Sequence, residues 1–146
     1  MSIATPKHKK EGYAISTDKS LLDVHAIHDY LSNQSYWAKG RLLESVLCTI
    51  EHSICFGLYH ANKQIGFARV ITDQATFAYL ADVYVLETHR GRGLSKWMMD
   101  YIMNYPKLQN LRRFLLATRD AHTLYEQFGF KPLSKPERWM EVFKES

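Results

Sequence analysis

The chain is short of the residues that staple a fold or carry it across a membrane. Two cysteines in 146 residues are too few for the disulfide framework of a small secreted domain. Cys48 and Cys55 lie in apolar runs, so two buried free thiols are expected, in keeping with a reducing compartment. No apolar run approaches the roughly 18 residues that a membrane span requires. The opening Met1-Ser2-Ile3-Ala4-Thr5-Pro6 has no signal-peptide core, so the reading is a cytoplasmic protein without a membrane partner. Four prolines and seven glycines form no Pro- or Gly-rich linker, and no internal repeat is visible. Excess charge is also modest. The net charge is +4, and Lys7, Lys9, Lys10, Lys131, Lys135, Arg138 and Lys144 sit towards the two ends. No basic stripe with interleaved aromatics runs along the chain, which argues against a nucleic-acid partner.

What is present is an ordinary globular composition, 46% hydrophobic and 23% charged, in a length that buries roughly 70% of its unfolded surface. A single domain over 1–146 is expected, with polar residues 1–11 as a flexible arm. A short strand at 13–16 comes first. Ser20 then reads as the N-cap of a helix carrying Leu21, Val24, Ile27, His28 and Leu31. A second helix, about 39–50, places Leu42, Leu43, Val46, Leu47 and Ile50 on its apolar stripe. Strands follow at 53–60, 64–71 and 77–86, joined by turns at Asn62-Lys63 and Asp73-Gln74.

A helix over 93–104 has Leu94, Trp97, Met98, Tyr101 and Ile102 on one face. A strand at 113–118 precedes a short helix capped by Asp120 and closed by Gly129, and two last strands are expected at 130–133 and 139–143. The order β-α-α-β-β-β-α-β-α-β-β describes a mixed α/β sheet with a strand–helix–strand crossover at its centre.

The most informative segment is Val85 to Ser95, where a strand runs into Arg90-Gly91-Arg92-Gly93-Leu94-Ser95 and then a helix. Free backbone amides and the positive end of a helix dipole, with glycines removing steric bulk, make a receptor for a pyrophosphate. This segment resembles the acetyl-CoA signature of the GNAT superfamily of N-acetyltransferases, Arg/Gln-x-x-Gly-x-Gly/Ala, with Ser95 in the last place. Residues 121–130, Ala-His-Thr-Leu-Tyr-Glu-Gln-Phe-Gly-Phe, are similar to the family's Ala-x-x-Leu-Tyr-x-x-x-Gly-Phe box. The family often has Asn seven residues before the box tyrosine, and this chain has Thr118.

The motif-bearing resemblance covers about 53–132. It implies a mostly antiparallel mixed sheet, splayed at the middle between the strands at 77–86 and 113–118 and flanked by about four helices. Acetyl-CoA is the implied co-substrate, without a metal. Arg90 to Ser95 would take the pyrophosphate, and Thr118 would supply a hydroxyl. The backbone of Val83, Tyr84 and Val85 would pair with the pantetheine arm.

Attack on a thioester needs a neutral amine. An ammonium of pKa about 10.4 is neutral in only about one molecule in two thousand at pH 7, a penalty of roughly 4.6 kcal/mol. Asp82, a charge inside an apolar strand, is the candidate base; the alternative is an ion pair with Arg69. The resemblance assigns Tyr125 as the general acid for the departing thiolate.

Tyr36, Trp37 and Arg69 are the expected acceptor contacts, with Arg41, Asp73 and Tyr79 as further contributors. His89 is a candidate for facing the phosphates. A lone pocket carboxylate favours a cationic acceptor, and nothing selects among a polyamine, an amino acid, an antibiotic and a protein amine. The leading function is acetyl transfer to a small-molecule amine. A protein lysine or N-terminal acetyltransferase and a non-catalytic CoA-binding module are the alternatives, and a homodimer is left open.

Overall fold

The computed structural model describes residues 11–145. The arm expected over 1–11 lies outside them except for Glu11, which sits in the turn before the first strand.

Alternating apolar residues separated by short polar turns give an antiparallel meander of β2 (Ile54–His60), β3 (Lys63–Thr72) and β4 (Phe77–Val85). The β2–β3 turn is made by Ala61 and Asn62, both left-handed at φ 51° and 65°. That conformation matches the twist of the flanking strands. The turn falls one residue earlier than the Asn62-Lys63 of the sequence reading. β1 (Tyr13–Ser16) adds to the free side of β2. A crossover through α3 (Leu94–Met103) brings β5 (Arg113–Leu116) parallel to β4, so the sheet runs in chain order from β1 to β5.

One face of the sheet packs against α3 and the short α4 (His122–Glu126), through Phe56, Leu58, Val70 and Leu80 against Trp97, Met98, Ile102 and Tyr125. The other carries α1 (Val24–Asn33) and α2 (Leu43–Glu51), through Ile27, Leu31, Val46 and Ile50 against Cys55, Phe67 and Tyr84. Four helices on a mostly antiparallel sheet match the architecture that the resemblance implies.

Several local expectations are corrected. α1 starts at Val24, because the Asp23 carboxylate accepts from the Ala26 amide at 3.0 Å. Ser20 belongs instead to a separate 3-10 turn capped by Asp18, and Leu21 is exposed. α2 is shorter than its apolar pattern, and Leu42 and Leu47 face outward. Cys48 is exposed and only Cys55 is buried. Ala121, not Asp120, occupies the cap position of α4, and its amide donates to the Thr118 hydroxyl at 3.1 Å.

The two last strands do not form among the described residues. Pro132 has no amide to give a ladder and Pro136 opens a 3-10 turn at Pro136–Arg138. The segment beyond has no regular structure and is exposed, with the Arg113 guanidinium 4.9 Å from the Trp139 ring centre.

Candidate active site

A bulge in β4 shapes the site. Phe67 pairs with Tyr84 and Arg69 with Ala81, so three steps along β4 match two along β3. The extra residue leaves Asp82 left-handed at φ 55°, a strained setting that Asp tolerates better than most side chains. Strict alternation would place Asp82 beside Ala78 and Leu80, against α3. After the bulge it faces the α1–α2 side with Tyr84.

The β4–β5 ladder ends at Leu80 and Leu116, whereas β4 continues to Val85. The splay implied by the resemblance is therefore present. Its opening is a cavity of about 500 Å³ between β4 residues 79–83 and chain 116–121, with Tyr36, Trp37, Arg41 and Arg69 on its wall. A second cavity, about 270 Å³, lies along β5 and α4. The two share Leu116, Ala117, Thr118 and Tyr125.

The Asp82 carboxylate is fully engaged. Trp37 Nε1 donates to Oδ1 at 2.8 Å, Arg69 Nε donates to Oδ2 at 2.8 Å, and Arg41 Nη1 reaches both oxygens at 3.3 and 3.1 Å. Of the two sequence readings of Asp82, the ion pair with Arg69 is the one its geometry displays. Arg69 is itself buried and donates from Nη1 to Ser53 Oγ at 3.2 Å.

The loop between α1 and α2 is built to deliver Trp37 and Arg41. The Ser35 hydroxyl donates to the Leu31 carbonyl at 2.6 Å and accepts from the Ala38 amide at 3.1 Å. The Arg41 carbonyl accepts from the Ser32 hydroxyl and sits 2.9 Å from His28 Nε2. The last turn of α1 thus clamps both ends of the loop.

Tyr36, packed edge-on against Trp37 at 5.1 Å, reaches across to Arg119. Its hydroxyl accepts from the Arg119 amide at 3.0 Å, and the Arg119 guanidinium lies 3.8 Å from its ring centre. Arg119 was not among the sequence candidates, and no spacing signal would have singled it out. Tyr79 lines the cavity. Asp73 does not; it stays in the β3–β4 turn, accepting from the Thr76 hydroxyl and from the Thr76, Ala75 and Phe77 amides, which hold its carboxyl well below the usual range.

Tyr125 stands where the cavities meet, and its hydroxyl has no hydrogen-bond partner among the described residues. Burial, with smaller contributions from Tyr36 and Asp120, pushes its pKa up to about 12.

Beyond β4, the glycine turn carries Gly91 and Gly93 at φ 81° and 74°, and no side chain among the described residues caps α3. The first amides of α3 are therefore unclaimed at the positive end of the helix. Gly91, Arg92 and Gly93 are exposed there and Ser95 is partly so. Arg90 turns back instead, donating from Nε to the Val85 carbonyl at 2.8 Å and from Nη2 to the Tyr30 hydroxyl at 3.0 Å. Its side chain holds the turn, leaving Arg92 as the outward cation. His89 contacts the Tyr13 hydroxyl through Nδ1 at 2.8 Å. The Tyr84 side chain stacks on Tyr30 at 3.9 Å, on the face away from α3, and Val83 lines the cavity. Among the described residues no group of three or more His, Cys, Asp or Glu is placed to hold a metal, and no helix is long and apolar enough to cross a membrane.

A family model described as an acetyltransferase (GNAT) domain matches residues 51–132. A Gibberella zeae protein named as an acetyltransferase is 35% identical, over 90% of this chain and 86% of its own. A Xanthomonas campestris pv. campestris crystal structure assigned to the same family is 53% identical. It superposes with a TM-score of 0.89, covering 90% of this chain and 93% of that one. A Staphylococcus aureus protein of unknown function shares the fold, with a TM-score of 0.69 at 23% identity over 91% and 99% of the two chains.

Proposed function

The chain belongs to the GNAT acetyltransferase family, and from that premise we propose that it transfers acetyl from acetyl-CoA to a small primary amine by direct attack. The observation that carries this reading is the gap where β4 outruns its ladder with β5, lined by Tyr125, beside a strand that leads into the glycine turn and the uncapped start of α3. The gap, Tyr125 and the turn fit an amide-bearing arm, a sulfur and a diphosphate in that order.

The residues that would hold the coenzyme follow from the geometry. The amides of Gly91 to Ser95 and the Arg92 guanidinium would take the diphosphate. The backbone of Val83 to Val85 would pair with the arm, and Thr118 Oγ1 could still donate a bond after accepting from Ala121. When bound, acetyl-CoA supplies an acetyl group activated as a thioester. As the acceptor nitrogen bonds to the acetyl carbon, the C–S bond breaks, the nitrogen sheds a proton and the sulfur gains one.

Tyr125 would hold the proton for the sulfur. At about 12 its pKa lies above that of an ordinary thiol, near 8.5. Transfer is thus uphill in the empty site and is aided as charge develops on the sulfur beside it. Both Asp82 oxygens already accept hydrogen bonds, so to act as a base it would first have to release Trp37 or an arginine. We assign it to positioning Arg41 and Arg69, with the amine proton passing to solvent.

The test is calorimetry with coenzyme A followed by a thiol-release screen over diverse amines. Heat of binding and release of thiol with at least one amine are expected. Absence of binding to folded protein would overturn the reading. Tight binding with no transfer to any amine would favour a coenzyme-binding module.

A further inference from the structure

The charges on the cavity wall do not balance. Its lining has three arginines (Arg41, Arg69, Arg119) and two aspartates (Asp82, Asp120), which leaves one positive charge over, three minus two. Arg119 and Asp120 are exposed and pair with each other at 3.6 Å. The surplus therefore belongs to the inner group, where two guanidinium ions share the one carboxylate of Asp82.

The donors do not balance either. A guanidinium has five N–H groups and stays protonated. Arg41 spends only Nη1 on Asp82, and Arg69 spends Nε there and Nη1 on Ser53. The rest have no acceptor among the described residues. Asp82, by contrast, has none to spare, because Trp37 takes a share of Oδ1. A cationic acceptor would meet two guanidinium ions and a carboxylate with no free oxygen. That arrangement argues for an acceptor opposite to the cationic one expected from the sequence.

We propose that the acceptor amine carries an oxyanion, carboxylate or phosphate, and that Arg41 and Arg69 bind it. Asp82 fixes the two forks and neutralises one of their charges, so that one monoanionic group completes the balance. A planar fork suits either oxyanion in a two-point contact. Arg69 is fixed from two sides and buried, whereas Arg41 is partly exposed at the mouth, with a side-chain exposure of 23%. An entering anion would meet Arg41 first and Arg69 at the floor. The same arrangement excludes polyamines by repulsion.

The inference rests on the acetyl-transfer reading, and the experiment separates the two. Acetyl-CoA is first titrated into the full chain by calorimetry. Thiol release is then followed with matched pairs of amines: amino acids against their amides, and phosphoethanolamine against ethanolamine, with spermidine as the cationic arm. Turnover of an anionic member with at least tenfold higher kcat/KM than its neutral partner is expected, and the productive pair distinguishes carboxylate from phosphate. Arg41→Met should raise KM for that amine at least tenfold while KM for acetyl-CoA stays unchanged; Arg41→Lys, which keeps the charge but not the fork, should recover part of the loss.

Equal or better turnover of neutral amines or spermidine would overturn the proposal. So would failure of both anionic arms in protein that binds acetyl-CoA, and that result would leave the acetyl-transfer reading standing. No heat with acetyl-CoA would overturn the reading and the proposal together.

Discussion

In the proposed reaction Tyr125 and Asp82 would have unequal parts. One has an idle hydroxyl at the junction of two cavities, and the other has every oxygen in use. Tyr125→Phe should lower kcat by about a hundredfold or more, the usual scale for a lost general acid, while the heat of coenzyme A binding is retained; an unchanged kcat would remove it from the reaction. If solvent takes the amine proton, the acid limb of kcat/KM belongs to the acceptor. Two amines differing by one unit in pKa should shift that limb by one unit, whereas a limb fixed in place would point to a protein base. The sequence made both residues visible, one by its box and the other as a charge within an apolar strand. It could not show that Trp37 and Arg41, some 40 positions upstream, converge on that charge, because nothing local encodes a long-range fork.

Elements bounded by local chemistry are where sequence and structure agree most closely. α3 begins after Gly93 and ends at Met103, capped by Asn104, within a residue of what the glycine turn and the apolar stripe predict. The meander strands fall within a residue of their patterns for the same reason. α1 starts later than its pattern suggests because Ser20 and Asp23 lie three residues apart, and it is Asp23 whose carboxylate meets the Ala26 amide. The final strands failed because alternation shows which residues suit a sheet but not whether a partner edge is offered.

At the turn, a Cβ on Gly91 would touch nothing, so any penalty arises from its left-handed φ alone. Gly91→Ala should cost about 1–2 kcal/mol in urea unfolding and weaken coenzyme A binding further, because the methyl group faces the expected phosphates. Stability loss with unaltered affinity would dissociate the turn from the coenzyme. Ile27, fully buried beneath α1, makes the complementary test. Ile27→Ala should cost about 2–5 kcal/mol and loosen the loop that α1 clamps, raising the acceptor KM.

For the molecule as a whole, several buried groups prefer to stay protonated. Burial pushes Cys55 up to about 11 and both Tyr59 and Tyr125 up to about 12, and Tyr84 is raised as well. Each would ionise earlier in the unfolded chain, from about 8.5 for a thiol and about 10 for a phenol. Their contribution is intact below those values and drains away as pH climbs to 11 and 12. Thermal melts should therefore hold steady from pH 7 to 8.5 and fall progressively above it; a flat profile to pH 11 would contradict the burial of these groups. The bulge in β4 has a consequence of its own. It works as a phase change in the strand: residues before it point one way, residues after it the other. Excising Val83 should bring the strand back into phase and turn Asp82 toward α3, away from Arg41 and Arg69; the stranded charges should lower the melting temperature sharply, and heat on titration of coenzyme A should be lost.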